Sequence, residues 1–443
     1  MPGLVNGHTH AHGALGKGMV GDRWPLELLL NANGAINAAR TLEDKYLSAQ
    51  LSGAEMISKG CTSAFDLAVE IPIPSVEGTH AVAQAYNDLG MRAVVAPMLS
   101  DRSFYQAIPG LVEAFPDDRR RTVEAILAAP AETSLAVCRT IFATWPFPTD
   151  RIRPAIAPTI PLHCSDDFLI GCDALAREFG LMLQTHLAES VVQAEAGRRR
   201  YGRSLLAHLD GLGLLSPHFS AAHALWIDED DMGRLADRGA AVVHNPMSNL
   251  RLGSGIARAA RMQERGVRLA SGTDASNTSD GQNMFEAARL AAYLSRLEPL
   301  ACEHWLSAGD VMTMATTGSA DVLGFGDRIG RIAEGWAADI VFLDLNTANY
   351  LPLRAPLTQV AFTETGAQVE SVMIAGRMVY AGRRHLTVDF ERLRQRVAEA
   401  AYRLDEAVSP RLEAAGLLEE IVLRHCSGLR DCAAHGSHPS SVH

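Results

Sequence analysis

Short runs of β-branched and apolar residues alternate along the chain with longer Ala- and Leu-rich stretches whose apolar positions recur at helical spacing. Strands buried on both faces read as near-continuous apolar runs, and parallel strands need helical crossovers between them. The alternation therefore predicts a parallel βα protein. Eight runs can be counted: Leu4 to His10, Cys61 to Leu67, Arg92 to Leu99, Ile152 to Thr159, Leu181 to His186, Phe219 to His223, Ala240 to His244 and Val267 to Asp274. Eight strands with helices between them fit an α/β protein of the (β/α)8 TIM-barrel type, whose chemistry gathers at the C-terminal ends of the strands. The rival arrangement, a doubly wound open sheet, lacks its phosphate-binding fingerprint, because GALGKG does not have GxxxxGK[ST] spacing.

Beyond the barrel, expected over residues 1–326, the segments GRIAEGWAADIVFLDL and VESVMIAGRMVYAGR read as a few strands with turn glycines. They predict a small β-module over 327–385. A helical stretch is expected from Val388 to Leu423, within a segment 386–425. The small and polar tail 426–443 is expected to be disordered, so that His435, His438 and His443 read as tail residues rather than ligands.

Composition narrows the function. Forty basic against 51 acidic residues give a net charge of -11, which repels a phosphate backbone and argues against nucleic acid as a partner. Seven cysteines are scattered without a CxxC pair, the pattern of reduced thiols and a cytoplasmic protein. No uninterrupted apolar stretch reaches the roughly 20 residues of a membrane span, so no membrane partner is expected. Lysine is confined to Lys17, Lys45 and Lys59.

The candidate chemistry lies at the ends of four predicted strands: His8 and His10 in VNGHTH, His186 in LQTHLAES, His223 in SAAHALW and Asp274 in ASGTDAS. Alternate side chains on a strand share a face, so the imidazoles of His8 and His10 can reach one ion together. Two histidines so spaced are weak evidence; five metal-binding side chains at strand ends predict a catalytic metal site.

The motifs PGLVNGHTH, HLAE, the single histidine of the sixth run, HNPMSN, GTD and GRIAEGWAADIV together resemble the amidohydrolase superfamily. The resemblance lies with its aminohydrolase branch of guanine, cytosine and adenosine-type deaminases and triazine chlorohydrolases. It spans Pro2 to about Arg384. It implies a barrel joined to a β-sandwich built from both chain ends. Here the N-terminal half of that sandwich is missing, so the C-terminal strands are expected to have open edges and an exposed apolar face. Either the natural start lies upstream or the module pairs with another subunit.

Some members of the superfamily bridge two metals through a carboxylated lysine of the fourth strand, and this chain has no lysine after Lys59. The resemblance thus implies one divalent ion held by His8, His10, His186 and Asp274. Zinc fits three imidazoles and a carboxylate, and iron or manganese accepts the same set. Metal-bound hydroxide is the implied nucleophile, since coordination lowers the pKa of water from about 15.7 to roughly 7. Glu189, in the HxxE position, is implied to shuttle a proton to a ring nitrogen. Asp274 passes the water's proton to the leaving amine, and His223 hydrogen-bonds the attacking water or the developing oxyanion.

On the substrate side, His12 borders either substrate or solvent, and His244 of HNPMSN shapes a turn or the pocket floor. Trp24 and Glu27 fall near a substrate-binding segment of related enzymes, whereas Leu26, Leu28 and Leu29 read as helix packing. DRSFYQAIP from Asp101 reads as a surface loop or an aromatic lid. Nucleoside-type members carry PHAPYTCS where this chain reads PTIPLHCS, which places Thr159 at the substrate histidine and displaces His163 by four positions. That departure favours a free base or other small nitrogen heterocycle over thioadenosine-type nucleosides. The reading is a mononuclear aminohydrolase that releases ammonia from a purine, pyrimidine or triazine, working on a small molecule as a homo-oligomer. Amide, carbamate or urea hydrolysis and dechlorination are the alternatives within the same chemistry, and a non-catalytic metal-bound binding protein is the alternative outside it.

Overall fold

A computed structural model describes residues 1–436 of the chain. Ten parallel strands build the barrel: β1 (Leu4–His10), β2 (Cys61–Ala68), β3 (Arg92–Leu99), β4 (Ile152–Pro154), β5 (Ala157–Pro158), β6 (Leu183–Leu187), β7 (Phe219–His223), β8 (Ala241–His244), β9 (Arg268–Ser271) and β10 (Asp274–Ala275). They occupy eight staves, because the fourth run breaks into β4 and β5 and the eighth into β9 and β10. The ladder runs β10-β1-β2-β3, passes to β4 and β5, and continues as β6-β7-β8-β9. A parallel bridge between Ile156 and Leu183 joins the two sheets, and Thr273 N–H donates to the His8 carbonyl at the seam.

Every residue of β1 is buried, as a parallel strand covered on both faces requires. Val5, Phe65, Val94, Ala157, Val243 and Ala270 fill the interior together with Phe325 and Ile329. The glycines of NGH and GTD answer close approaches. A Cβ on Gly7 would sit 3.0 Å from the Ser271 carbonyl, and one on Gly272 would sit 2.4 Å from Asn245 Oδ1 and 2.8 Å from the His8 carbonyl.

The small module is the antiparallel sheet β11 (Ile340–Leu343), β12 (Val369–Ile374), β13 (Arg377–Ala381) and β14 (Arg384–His385). Its inner face buries Val341, Val369, Val372, Ile374 and Val379 against the barrel helices. The expected open edge is partly closed. Pro2 bridges Ile340, Met1 and Val341 exchange backbone hydrogen bonds at 2.9 Å, and Gly3 N–H donates to the Asp339 carbonyl at 2.9 Å. Phe342, Leu351, Leu353 and Leu357 remain exposed.

Over residues 426–436 the structure corrects the expectation of a disordered tail, and 437–443 lie outside the described residues. A helix Phe390–Gly416 is followed by a second, Glu419–Gly436, which carries regular structure well past Leu423. Val422, Cys426 and Leu429, one helical face at i, i+4 and i+7, are buried in the main apolar cluster. The polar composition of SGLRDCAAHG concealed that stripe. The side chains of His435, His438 and His443 lie outside the described residues.

Two ties hold the appendages. Arg403 reaches Asp44, whose carboxylate also closes the Thr41 capping box of the helix Leu42–Ser58. Arg92 Nε donates to Asp339 Oδ2 at 2.8 Å, with both side chains almost wholly buried, and Asp339 Oδ1 accepts the Ala375 N–H at 2.7 Å. Removing one partner of a buried ion pair strands the other, so Asp339→Ala is expected to cost about 3–5 kcal/mol of stability, read from urea denaturation.

Candidate metal centre

His8, His10, His186, His223 and Asp274 arrive from four staves and meet at the C-terminal mouth of the barrel. Strand geometry alone does not aim them. His223 and Asp274 adopt positive φ of 71° and 63°, and Ala188 and Ala224 beside them adopt 44° and 48°. Non-glycine residues rarely enter this region, and they cluster where the surrounding structure overrides the preference. The turns direct the side chains inward as each strand ends.

Each imidazole is held by its outer nitrogen. His8 Nδ1–H donates to Gln184 Oε1 at 2.6 Å, and the Gln184 amide is itself fixed by the Gly7 carbonyl and Ser220 Oγ. His10 Nδ1–H donates to the Leu67 carbonyl at 2.9 Å and His186 Nδ1–H to the Thr159 carbonyl at 2.5 Å. His223 Nδ1–H donates to Asn249 Oδ1 at 2.8 Å. With the proton on Nδ1 in all four, every Nε2 presents a bare lone pair to the centre.

Those lone pairs crowd one another. His10 Nε2 and His186 Nε2 are 3.0 Å apart with no proton left to place between them. Nε2 of His8 and of His223 are buried without any partner. Asp274 Oδ1 lies 3.4 Å from His10 Nε2 and 3.7 Å from His8 Nε2, and Oδ2 lies 3.8 Å from His223 Nε2. Tetrahedral zinc with Zn–N bonds of about 2.0–2.1 Å spaces its ligand atoms about 3.3 Å apart. The donor set therefore fits one divalent cation, which would relieve both the repulsion and the unpaired nitrogens.

Electrostatics follow from burial. Desolvation brings His10 down to about 4, with His8 adding to the effect, and takes His186 well below its ordinary value. Burial alone would raise Asp274, but the surrounding imidazoles, His8 foremost and then His10 and His223, hold it well below the usual carboxylate range. Glu189 moves the other way. Burial, then the neighbouring Asp274 charge, push it well above that range, with Oε1 3.8 Å from His223 Nε2. Two carboxyl groups at one site thus favour opposite protonation states, the pattern of a separated acid and base.

A cavity of about 570 Å3 opens above this floor and is lined there by His10, His186, Glu189 and Asp274. Among the substrate-side candidates, His12, Thr159 and His163 line the cavity as well. His244 does not. It is buried with both ring nitrogens unpartnered. Asn249 of the same HNPMSN motif, on the helix Pro246–Arg251, reaches His223. Phe104 and Tyr105 of the supposed surface loop are buried cavity walls. Trp24 packs against the apolar core, while Glu27 is buried and accepts the Ser190 hydroxyl at 2.7 Å.

Sequence reasoning missed the supporting groups. Gln184 and Asn249 stood inside quoted motifs. Gln282, which accepts from the Thr9 and Thr273 hydroxyls and donates to the Asp274 carbonyl, had no such signal.

A family model described as "Amidohydrolase family" matches residues 1–379. A 5-methylthioadenosine/S-adenosylhomocysteine deaminase of Syntrophobacter fumaroxidans is 33% identical, over 90% of this chain and 84% of that protein. A 5'-deoxyadenosine deaminase of Methanothermobacter thermautotrophicus is 32% identical, over 86% of this chain and 81% of that protein. Among solved structures, a zinc-bound adenosine deaminase from Xanthomonas campestris superposes with a TM-score of 0.80 at 29% identity, covering 92% of this chain and 86% of that one. A zinc complex of atrazine chlorohydrolase from Arthrobacter aurescens, at 24% identity and a TM-score of 0.79 over 90% and 88% of the two chains, shares the fold.

Two outcomes are expected. Gln184→Leu releases the His8 ring and should weaken zinc binding about 10–100-fold, measured by competition with a chelating dye. His163 and His244, both depressed from 6.5 to about 4 by burial, bind fewer protons folded than unfolded between those values. Their contribution to stability is complete above pH 6.5 and is lost as pH falls towards 4. The melting temperature should drop across that window, and by less in His163→Leu, in calorimetry at fixed ionic strength.

Proposed function

The chain belongs to the amidohydrolase family, and from that footing we propose that it hydrolyses the exocyclic amine of a purine-type heterocycle to a carbonyl with release of ammonia. One divalent ion, zinc by its donor set, is held by His8, His10, His186 and Asp274. The observation that carries the reading is the convergence of bare Nε2 atoms on the Asp274 carboxylate, with the buried Glu189 carboxyl 3.8 Å from His223 Nε2 beside it. The adenosine-type deaminases among its relatives support the leaving group. The likeness to the triazine enzyme, at 24% identity, extends to the fold alone.

A bound zinc supplies a water acidic enough to lose a proton near neutral pH. The remaining work falls to this chain's own residues. Glu189, which burial and the Asp274 charge bias towards its protonated form, gives its proton to the ring nitrogen beside the amine-bearing carbon, which makes that carbon more electrophilic. Asp274 takes one proton of the attacking water and passes it to the departing amine, and the water's second proton returns to Glu189 as the carbonyl forms, so that amine and water become carbonyl and ammonia with both carboxyl groups restored. His223, its Nε2 bare and 3.8 Å from both carboxyl groups, accepts a hydrogen bond from the attacking water and fixes its line of attack. The apolar cavity walls exclude competing solvent. The substrate is a small molecule, and among the described residues no helix is long and apolar enough to cross a membrane. The barrel 1–326, the module 327–385 and the following helices are proposed to act as one catalytic unit.

Glu189→Gln is expected to keep stoichiometric zinc by elemental analysis. It should lose about 10²–10⁴-fold in kcat, measured as ammonia released from adenine-type substrates. Wild-type turnover in this variant would remove Glu189 from the mechanism, and absence of ammonia from every purine, pyrimidine and triazine amine tested would overturn the reaction itself.

A further inference from the structure

The four imidazoles of the centre are each fixed through a ring nitrogen, whereas Asp274 is fixed through its backbone. Its φ of 63° lies in the left-handed region, which is unfavourable for any residue with a Cβ. Because Cβ rotates about the N–Cα bond with φ, a return to negative φ re-aims the carboxylate. The turn is held by bonds to the Asp274 carbonyl, the shortest of them from Gln282 Nε2 at 2.8 Å.

Gln282 lies between β10 and the helix Met284–Ser295, and its amide has one workable orientation. The hydroxyls of Thr273 and Thr9 carry one proton each. They meet Gln282 Oε1 at 2.5 and 2.9 Å, closer than they meet the Asp274 carbonyl at 3.3 and 3.0 Å. Asn6 Nδ2 donates to Thr273 Oγ1 at 2.6 Å, which leaves that hydroxyl's proton for Oε1. Turned over, the amide would set Oε1 against the Asp274 carbonyl, acceptor on acceptor at 2.8 Å. The second Nε2 hydrogen goes to Ser276 Oγ at 3.1 Å. The Gln282 backbone N–H goes to Glu55 Oε1 at 3.0 Å, a carboxylate that Lys17 and Lys59 both pair with. Asn6, Thr9, Thr273 and Gln282 are all wholly buried, so a bond lost here is not replaced by water.

We propose that Gln282 is a positioning residue of the site: by holding the left-handed turn at Asp274 it aims the carboxylate that ligates the ion and carries the water's proton. Gln282 does not line the cavity, so it acts through Asp274 and leaves the walls that receive the substrate as they are. Its effect on turnover rests on the deamination proposed above. Its effect on the geometry of the bound ion does not.

The test uses the full chain loaded with zinc, for ammonia release from adenine and adenosine, and loaded with cobalt, whose visible spectrum reports the geometry around the ion. Gln282→Met keeps length and burial while removing donor and acceptor. At saturating zinc its kcat is expected to fall about 10–100-fold with KM unchanged, the mark of an interaction that matters only in the transition state. Its cobalt band should shift or change in intensity. Thr9→Val removes one hydroxyl at constant shape and should move both readouts the same way by less, and Thr9→Ser should restore them. A wild-type cobalt spectrum in folded Gln282→Met overturns the proposal, and so does a variant whose sole change is a lower melting temperature or a raised KM. If Gln282→Met does not fold, the Thr9 pair decides, and an unchanged spectrum in Thr9→Val overturns it. An altered spectrum in a protein that releases no ammonia from either substrate supports the aiming of Asp274 and sinks the deamination. Ammonia from the wild type, with spectrum and kcat unchanged in the variant, does the reverse.

Discussion

Four imidazoles that each spend their only proton on an outer acceptor must face one another with bare lone pairs. Gln184, the Leu67 and Thr159 carbonyls and Asn249 enforce this arrangement, and the 3.0 Å approach of His10 and His186 shows how tightly it is drawn. Neutral groups crowded this way inside a protein are tolerable only around a cation, and much of the mouth of the barrel serves to keep them there. The positive-φ turns at His223 and Asp274 and the glycine at 272 are the backbone's share of that constraint.

The same crowding separates the two carboxyl groups. Asp274 sits among the imidazoles and stays ionised, while Glu189, only slightly displaced, meets burial and the Asp274 charge and favours its proton. Position relative to one cluster, rather than residue type, decides which acid gives a proton and which takes one. Glu27 adds a further buried carboxylate nearby, tied to Ser190 at the start of the helix that follows Glu189.

The floor and the outer wall of the cavity come from different parts of the chain. The floor is made by strand ends of the barrel, where rigid staves set distances between donors. The outer wall is made by the helix Leu26–Asn37, the segment 101–109 and the elbow between the helices Phe390–Gly416 and Glu419–Gly436, which are joined by side-chain-to-carbonyl hydrogen bonds. One fold can hold its chemistry fixed while such outer elements change what enters.

The staves and the metal-binding side chains could be read in the sequence because they depend on local pattern: period-two strands, histidines two apart, and glycines where backbone must pass close. His8, His10, His186, His223 and Asp274 were visible for that reason. The breaks of the fourth and eighth staves, the burial of Phe104 and Tyr105 and the helix through Cys426 and Leu429 were not. Each depends on which distant surface a short segment meets, and a polar composition hides a sparse apolar stripe until its partner is known. The chain by itself determined which atoms can bind a cation. Only the tertiary structure decided which nitrogen of each ring carries the proton and what closes the chamber above, because both are set by hydrogen-bond partners dozens to hundreds of residues away in sequence.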